Sequence, residues 1–178
     1  MVRPVIGFLD ESSLRVEPTK RRVLNTHTIH YTDRGQKYAA RSMTLFGFMA
    51  LNGNDVVLAS RQAKAIDMTS FLKLIREENG RPPIMIILDN AQIHRAGLTM
   101  KVASELGITL TFLLPYSPDL NPIEFSWKDL KRELAMKLNF DSVVEASEPT
   151  ALKLFRERKL TYSAKWIKSF LTGKKLIE

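Results

Sequence analysis

Three carboxylates stand where the local sequence would hold them still. Asp10 follows the apolar run 2–9, Asp89 follows the run 84–88, and Glu124 opens a helix just after a third run, 109–114. A strand end or helix start fixes such a side chain, while the adjoining loop admits water and metal. The chain has no cysteine, so thiolate metal sites are excluded. Carboxylates without thiolates or a histidine cluster favour hard, oxygen-seeking cations such as Mg²⁺ or Mn²⁺. Two such ions about 3.5–4 Å apart can clamp a phosphodiester, one activating water or a 3′-hydroxyl and the other steadying the leaving oxygen. Without a cation, three neighbouring carboxylates repel one another, which is a reason to meet them together where metal binds. Plainer readings stand beside this one. Asp10 opens the polar stretch Asp10-Glu11-Ser12-Ser13, which reads as a strand-end turn. Glu124 falls at N3 of a helix with Asn121 as N-cap and Pro122 at the first helical position, so it can be the far half of a capping box.

The elements that must position these residues are legible from apolar periodicity. Runs 43–51 and 56–60 read as two strands joined by Asn52-Gly53-Asn54-Asp55, with Asn-Gly as the hairpin signal. Asp67 reads as the cap of a helix to about Asn79, with Phe71, Leu72, Leu74 and Ile75 as its buried stripe and Gly80 as its stop. Ile84-Met85-Ile86-Ile87-Leu88 reads as a central strand covered on both faces. A helix over 95–106 stopped by Gly107, the strand 109–114, and a helix from Pro122 to about Leu138 follow. Phe125, Trp127, Leu130, Leu134 and Leu138 are the apolar positions of that helix, with Lys128, Lys131 and Arg132 on its polar side. Residues 139–149 read as a polar, acidic loop or a short helical turn. A basic helical region with Leu152, Phe155, Trp166, Ile167 and Phe170 closes the chain. Hairpin strands joined to later strand–helix units make an α/β fold, a mixed sheet flanked by helices.

At 178 residues the chain is most simply one domain with a proper core. No apolar run approaches the roughly 20 residues that a membrane helix needs, and no partner membrane is expected. The lack of cysteine fits a reducing compartment, and a cytoplasmic, nucleoid-associated protein is the corresponding expectation. The net charge is +8. Residues 14–41 carry seven Lys/Arg against two Asp/Glu, residues 150–178 eight against two, and residues 42–149 eleven against thirteen. Basic flanks around a slightly acidic middle suit a polyanion such as nucleic acid, or else form a solvated surface. Lys20-Arg21-Arg22 is the densest basic run and, with Lys128 and Lys131, supplies candidate phosphate contacts. His27 and His30 lie in an extended-looking stretch and read as surface or nucleic-acid contacts ahead of metal ligands. There is no Walker-type phosphate loop and no Gly-x-Ser-x-Gly elbow.

Three blocks in order carry a family resemblance. Phe8-Leu9-Asp10-Glu11-Ser12, Leu88-Asp89-Asn90-Ala91-Gln92-Ile93-His94 and Tyr116-Ser117-Pro118-Asp119-Leu120-Asn121-Pro122-Ile123-Glu124 together resemble the catalytic domain of DDE transposases of the mariner superfamily and related prokaryotic insertion sequences. The 34 residues between Asp89 and Glu124 match the spacing that superfamily favours. The resemblance covers about residues 2–138. It implies an RNase H-like fold, with the first two acids on adjacent strands and the third on a following helix. It also implies Asp10, Asp89 and Glu124 as ligands of two Mg²⁺ or Mn²⁺ ions, and Asn90 and His94 as residues that shape or line the site. Asp119 matches a loop position and reads as a turn residue. The activity implied is metal-dependent DNA strand cleavage and strand transfer on transposon ends and target DNA, by a homodimer on DNA. Residues 1–140 would form the catalytic domain and 141–178 a basic helical extension packed on it. The family usually places helix-turn-helix modules ahead of this domain. Here the first strand is expected at about Val2, so a separate recognition chain or a truncated product is implied. The alternatives are a remnant that only binds nucleic acid and another RNase H-like nuclease.

Overall fold

The structure is a computed structural model that describes residues 3–16, 41–114, 121–135 and 140–172. The expected features at Lys20, Arg21, Arg22, His27, His30 and Asp119 lie outside these residues. Five strands form one sheet: β1 (Val5–Val16), β2 (Arg41–Ala50), β3 (Val56–Ser60), β4 (Ile84–Leu88) and β5 (Ile108–Phe112), in the order β3-β2-β1-β4-β5. The β1–β2 and β2–β3 pairs are antiparallel, whereas β1–β4 and β4–β5 are parallel. The sheet is therefore mixed, as expected.

Strict alternation along β1 and β2 divides the core in two. One face carries Leu9, Phe46, Phe48, Ile84, Ile86 and Leu88 against Met68, Phe71, Leu72 and Ile75 of α1 (Ala65–Asn79) and Ala103 of α2 (Gly97–Glu105). The other carries Phe8, Leu14, Met43, Leu45 and Met49. Against it pack Ile123, Trp127, Leu130 and Leu134 of α3 (Ile123–Leu134), and Val143, Ala151, Leu154 and Phe155 of α4 (Phe140–Thr172). Helices thus flank both faces. Asp129 of α3 pairs with Arg158 of α4 and ties the two helices together.

Several boundaries differ from the sequence reading, each for a physical reason. The strand β1 does not stop at Asp10. It runs through the polar stretch to Val16, because its pairing with β2 is made by backbone groups regardless of side chain. Residues 140–149 are helical, the start of the long α4 rather than a loop or a short separate turn, despite Pro149 inside the helix. Val143, Ser147, Ala151 and Phe155 recur every fourth residue and are all buried, which repays the interrupted helix ladder. The helix α1 begins two residues before Asp67, whose carboxylate accepts from the Lys64 amide at 3.0 Å from the N3 position. The expected hairpin forms, but its loop is not tight: Phe48 and Val56 are the last pair. Asn52 in that loop accepts from the Ile6 amide of β1 and donates to the Pro4 carbonyl just before the strand. Finally, β4 is fully covered on one face and partly on the other among the described residues. Ile84, Ile86 and Leu88 are buried on the first. On the second, Ile87 packs, partly buried, against the cluster of Phe8 and Trp127 while Met85 is 36% exposed, because α3 and α4 pack mainly over β1, β2 and β3.

Candidate active site

The parallel pairing of β1 with β4 ends at Phe8 and Ile87, and β4 itself ends at Leu88. Two steps further along the same register, Asp10 comes level with Asp89. From there β1 continues, paired with β2, while the chain after β4 turns away. Asp10 therefore sits beside the opening that β4 leaves. This is how adjacent strands bring two carboxylates separated by 78 intervening residues to one level.

The third carboxylate arrives by packing. Asp10 pairs across the strands with Gly47 of β2. A Cβ on Gly47 would stand 2.5 Å from Trp127 Cζ2 and 2.7 Å from Phe155 Cζ, closer than real Cβ contacts allow. Glycine there lets the Trp127 ring lie on the sheet beside Asp10, in edge-on contact with Phe155 at 5.2 Å. Trp127 follows Glu124 by one helical turn, so seating its ring brings Glu124 to the same side of α3. Asp10, Glu11, Ser12, Glu124, Trp127, Lys128 and Lys131 line a single open cleft of about 440 Å³. Glu124, Lys128 and Lys131 form an i, i+4, i+7 stripe, with the acid at the helix start and the two lysines beyond it.

The start of α3 agrees in part with expectation. Pro122 has helical dihedrals (φ −63°, ψ −20°), and the Glu124 amide bonds to the Asn121 carbonyl at 3.2 Å. The Asn121 side chain, however, is buried without a hydrogen-bond partner among the described residues, so its half of a capping box is not made.

Electrostatics single out Asp10. Burial, then the charges of Glu11, Glu124 and Asp89, push its carboxyl from 3.8 up to about 7, against a lowering backbone hydrogen bond at Glu11. Among the described residues, no three carboxylates and imidazoles are gathered tightly enough to hold a metal ion as they stand. The Asp89 carboxylate is instead drawn to His94, with Oδ1 2.7 Å from Nδ1, and accepts the Ala91 amide at 2.9 Å. The donor set still fits a hard divalent cation. Asp10, Asp89 and Glu124 offer only oxygens, and their mutual repulsion is what a cation would relieve.

Asn90 and His94 do not line the cleft. Asn90 donates to the Leu113 carbonyl at 2.6 Å, pinning the turn after β4 to the end of β5. His94 is fully buried between Glu11 and Asp89. Burial lowers its pKa, but the Glu11 and Asp89 carboxylates outweigh burial and leave it raised. Sequence reasoning passed over Glu11, Ser12 and the site role of Trp127. The available signals were that Glu11 directly follows Asp10 and that Trp127 lies one turn after Glu124.

A mixed sheet in the order 3-2-1-4-5 with helices on both faces is the RNase H-like fold. The chain belongs to the DDE superfamily endonuclease family, whose model matches residues 5–146. Among solved structures, the Mos1 strand transfer complex superposes with a TM-score of 0.61 at 17% identity, covering 99% of this chain and 56% of that one. The catalytic domain of Mos1 mariner transposase gives 0.57 at 16% identity, covering 97% and 84%. A simian T-cell lymphotropic virus intasome in complex with PP2A regulatory subunit B56 gamma gives 0.58 at 18% identity, covering 85% and 50%. At these identities the likeness is one of fold, and the chain spans about half the length of the intasome and strand-transfer chains. No curated protein matches it in sequence.

Proposed function

We propose that this chain is a transposase catalytic domain that cleaves DNA strands and transfers them for a mobile element, dependent on a divalent metal. The observation that carries the reading is Asp10 and Glu124 facing one cleft, with Asp89 just past the end of the neighbouring strand, level with Asp10, and two lysines on the rim. Membership of the endonuclease family supports it. Asp10, Asp89 and Glu124 would hold two Mg²⁺ or Mn²⁺ ions. When bound, these supply activation of water or a 3′-hydroxyl and stabilisation of the leaving oxygen. Asp10, whose carboxyl burial and the neighbouring acids push up, would be held as the carboxylate by a cation bound beside it. Lys128 and Lys131 draw the phosphate backbone along α3 toward Glu124. Trp127 holds the position of Glu124 through its seat on Gly47. Asn90 and His94 shape the Asp89 turn from behind.

The partners in this reading are transposon ends and target DNA, with two copies of the chain holding two ends. Residues 1–140 form the catalytic unit and 141–178 a basic extension on it. No described helix is long and apolar enough to cross a membrane, and action on nucleoid DNA in the cytoplasm completes the proposal.

The test is nicking of supercoiled plasmid. Cleavage is expected only with Mg²⁺ or Mn²⁺, and Glu124→Ala should abolish it while leaving DNA binding intact. Cleavage without metal, or full activity in that variant, would overturn the mechanism. Binding without nicking by the unaltered chain would favour the remnant that only binds nucleic acid.

A further inference from the structure

We propose that Glu11 is a positioning residue that acts through His94 on the Asp89 carboxylate and so sets the affinity of the site for its divalent cation. The inference rests on the metal-dependent reading above and extends it to a residue outside the three acids. Alternation along β1 sends Asp10 toward α3 and Glu11 to the opposite face, the one that carries Leu9. There Glu11 meets the turn after β4. Its Oε1 lies 2.7 Å from His94 Nε2, and the other ring nitrogen, Nδ1, lies 2.7 Å from Asp89 Oδ1 and 3.2 Å from the Asp89 carbonyl. The imidazole is thus wedged between two carboxylates and has no exposed surface.

The turn is bound to itself as well. Asp89 Oδ1 accepts the Ala91 amide at 2.9 Å, the His94 amide bonds to the Ala91 carbonyl at 3.0 Å, and Thr99 Oγ1 donates to the Ile93 carbonyl at 2.7 Å. These contacts fix the backbone of the turn but make none to His94 Nε2. Glu11 is what holds Nε2 from the far side and aims Nδ1 at Asp89. With Oδ1 committed to His94 and Ala91, the orientation of the remaining Asp89 oxygen is settled before a cation arrives. Partners that orient a metal ligand from behind in this way are commonly worth 10–100-fold in metal affinity. A carboxylate on the sheet face that carries Leu9, Phe46 and Phe48 has this contact as its reason to be there.

The readout is Mn²⁺ binding by electron paramagnetic resonance on the whole chain, alongside thermal unfolding without metal. Glu11→Asp keeps the charge but is one methylene too short to hold the 2.7 Å contact. It should weaken Mn²⁺ binding about tenfold or more. Glu11→Gln is isosteric, keeps an acceptor at Oε1, and should lose less than Glu11→Asp. Wild-type Mn²⁺ affinity in Glu11→Asp overturns the proposal, because Glu11 would then serve stability alone. A larger loss in Glu11→Gln than in Glu11→Asp assigns the effect to charge and overturns it equally. Glu11→Ala is the second variant if Glu11→Asp does not fold, with the same expected loss and the same refuting result. If the unaltered chain and Asp89→Asn both fail to bind Mn²⁺, the metal-dependent reading itself falls. Binding lost in Asp89→Asn but kept in every Glu11 variant leaves that reading standing and removes only the role of Glu11.

Discussion

Adding one methyl group at Gly47 should damage the cleft more than the fold. In Gly47→Ala the new Cβ would lie 2.5 Å and 2.6 Å from two Trp127 ring atoms and 2.7 Å from Phe155 Cζ. Trp127 is 4% exposed and Phe155 fully buried, so neither ring can swing into solvent. Overpacking of a core costs about 1–3 kcal/mol, and two displaced rings argue for the upper end. Loss of glycine freedom in the unfolded chain returns about 0.4–1 kcal/mol. The net is about 2 kcal/mol, or about 4–8 °C in thermal midpoint for a chain of this size. Trp127 and Glu124 are one turn apart on α3, so relief of the clash moves the Glu124 carboxylate relative to Asp10. A misplacement of about 1 Å can cost on the order of 100-fold in rate. Calorimetry and plasmid nicking with Mn²⁺, below the midpoint of the variant, measure the two losses separately. Trp127→Phe in the same chain removes the crowding indole atoms and should restore part of the stability. A Gly47→Ala protein with unchanged midpoint and unchanged cleavage would refute the account of how α3 is seated.

Two further predictions concern charge. The folded carboxyl of Asp10 titrates at about 7 against an ordinary 3.8, so between those values the folded chain binds more protons than the unfolded one. Stability of the metal-free protein should therefore fall as pH rises through that window, with a ceiling of roughly 4 kcal/mol. His94 acts in the same sense, because a raised histidine contributes stability that is lost as pH rises through its folded value. Asp10→Asn should flatten the profile, and Mn²⁺ should stabilise the wild type more at about pH 8 than at about pH 5; thermal midpoints across pH check both. Lys128→Ala and Lys131→Ala should each reduce the slope of log affinity against log salt by about 0.9, as expected for one phosphate contact each. An unchanged slope in DNA-binding titrations would take those lysines off the DNA path.

The three acids and the layer architecture were legible because each acid follows an apolar run or opens a helix, features that local sequence states directly. The adjacency of β1 and β4 was not local, and came into view only through the family resemblance of the motifs. Other features escaped for identifiable reasons. The strand β1 hides its second half behind Asp10-Glu11-Ser12-Ser13, where polar side chains meet a cleft on one face and a buried histidine on the other. The first turns of α4 bury Ser147 and Ala151, small residues that hydropathy does not flag, and they carry Pro149. The run 84–88 is apolar throughout, yet the second face of β4 is only partly covered among the described residues, with Ile87 packed and Met85 exposed, and a continuous run does not show that difference. Glu11 and His94 lie 83 positions apart, so their contact had no trace in spacing.

Anomalous diffraction from crystals of the wild-type chain grown with Mn²⁺ tests the central claim most directly. Manganese peaks coordinated by Asp10, Asp89 and Glu124 are expected, with loss of that density in Glu124→Ala crystals grown identically. Manganese bound elsewhere on the chain, or no manganese at these acids in crystals soaked well above the affinity measured in solution, would contradict it.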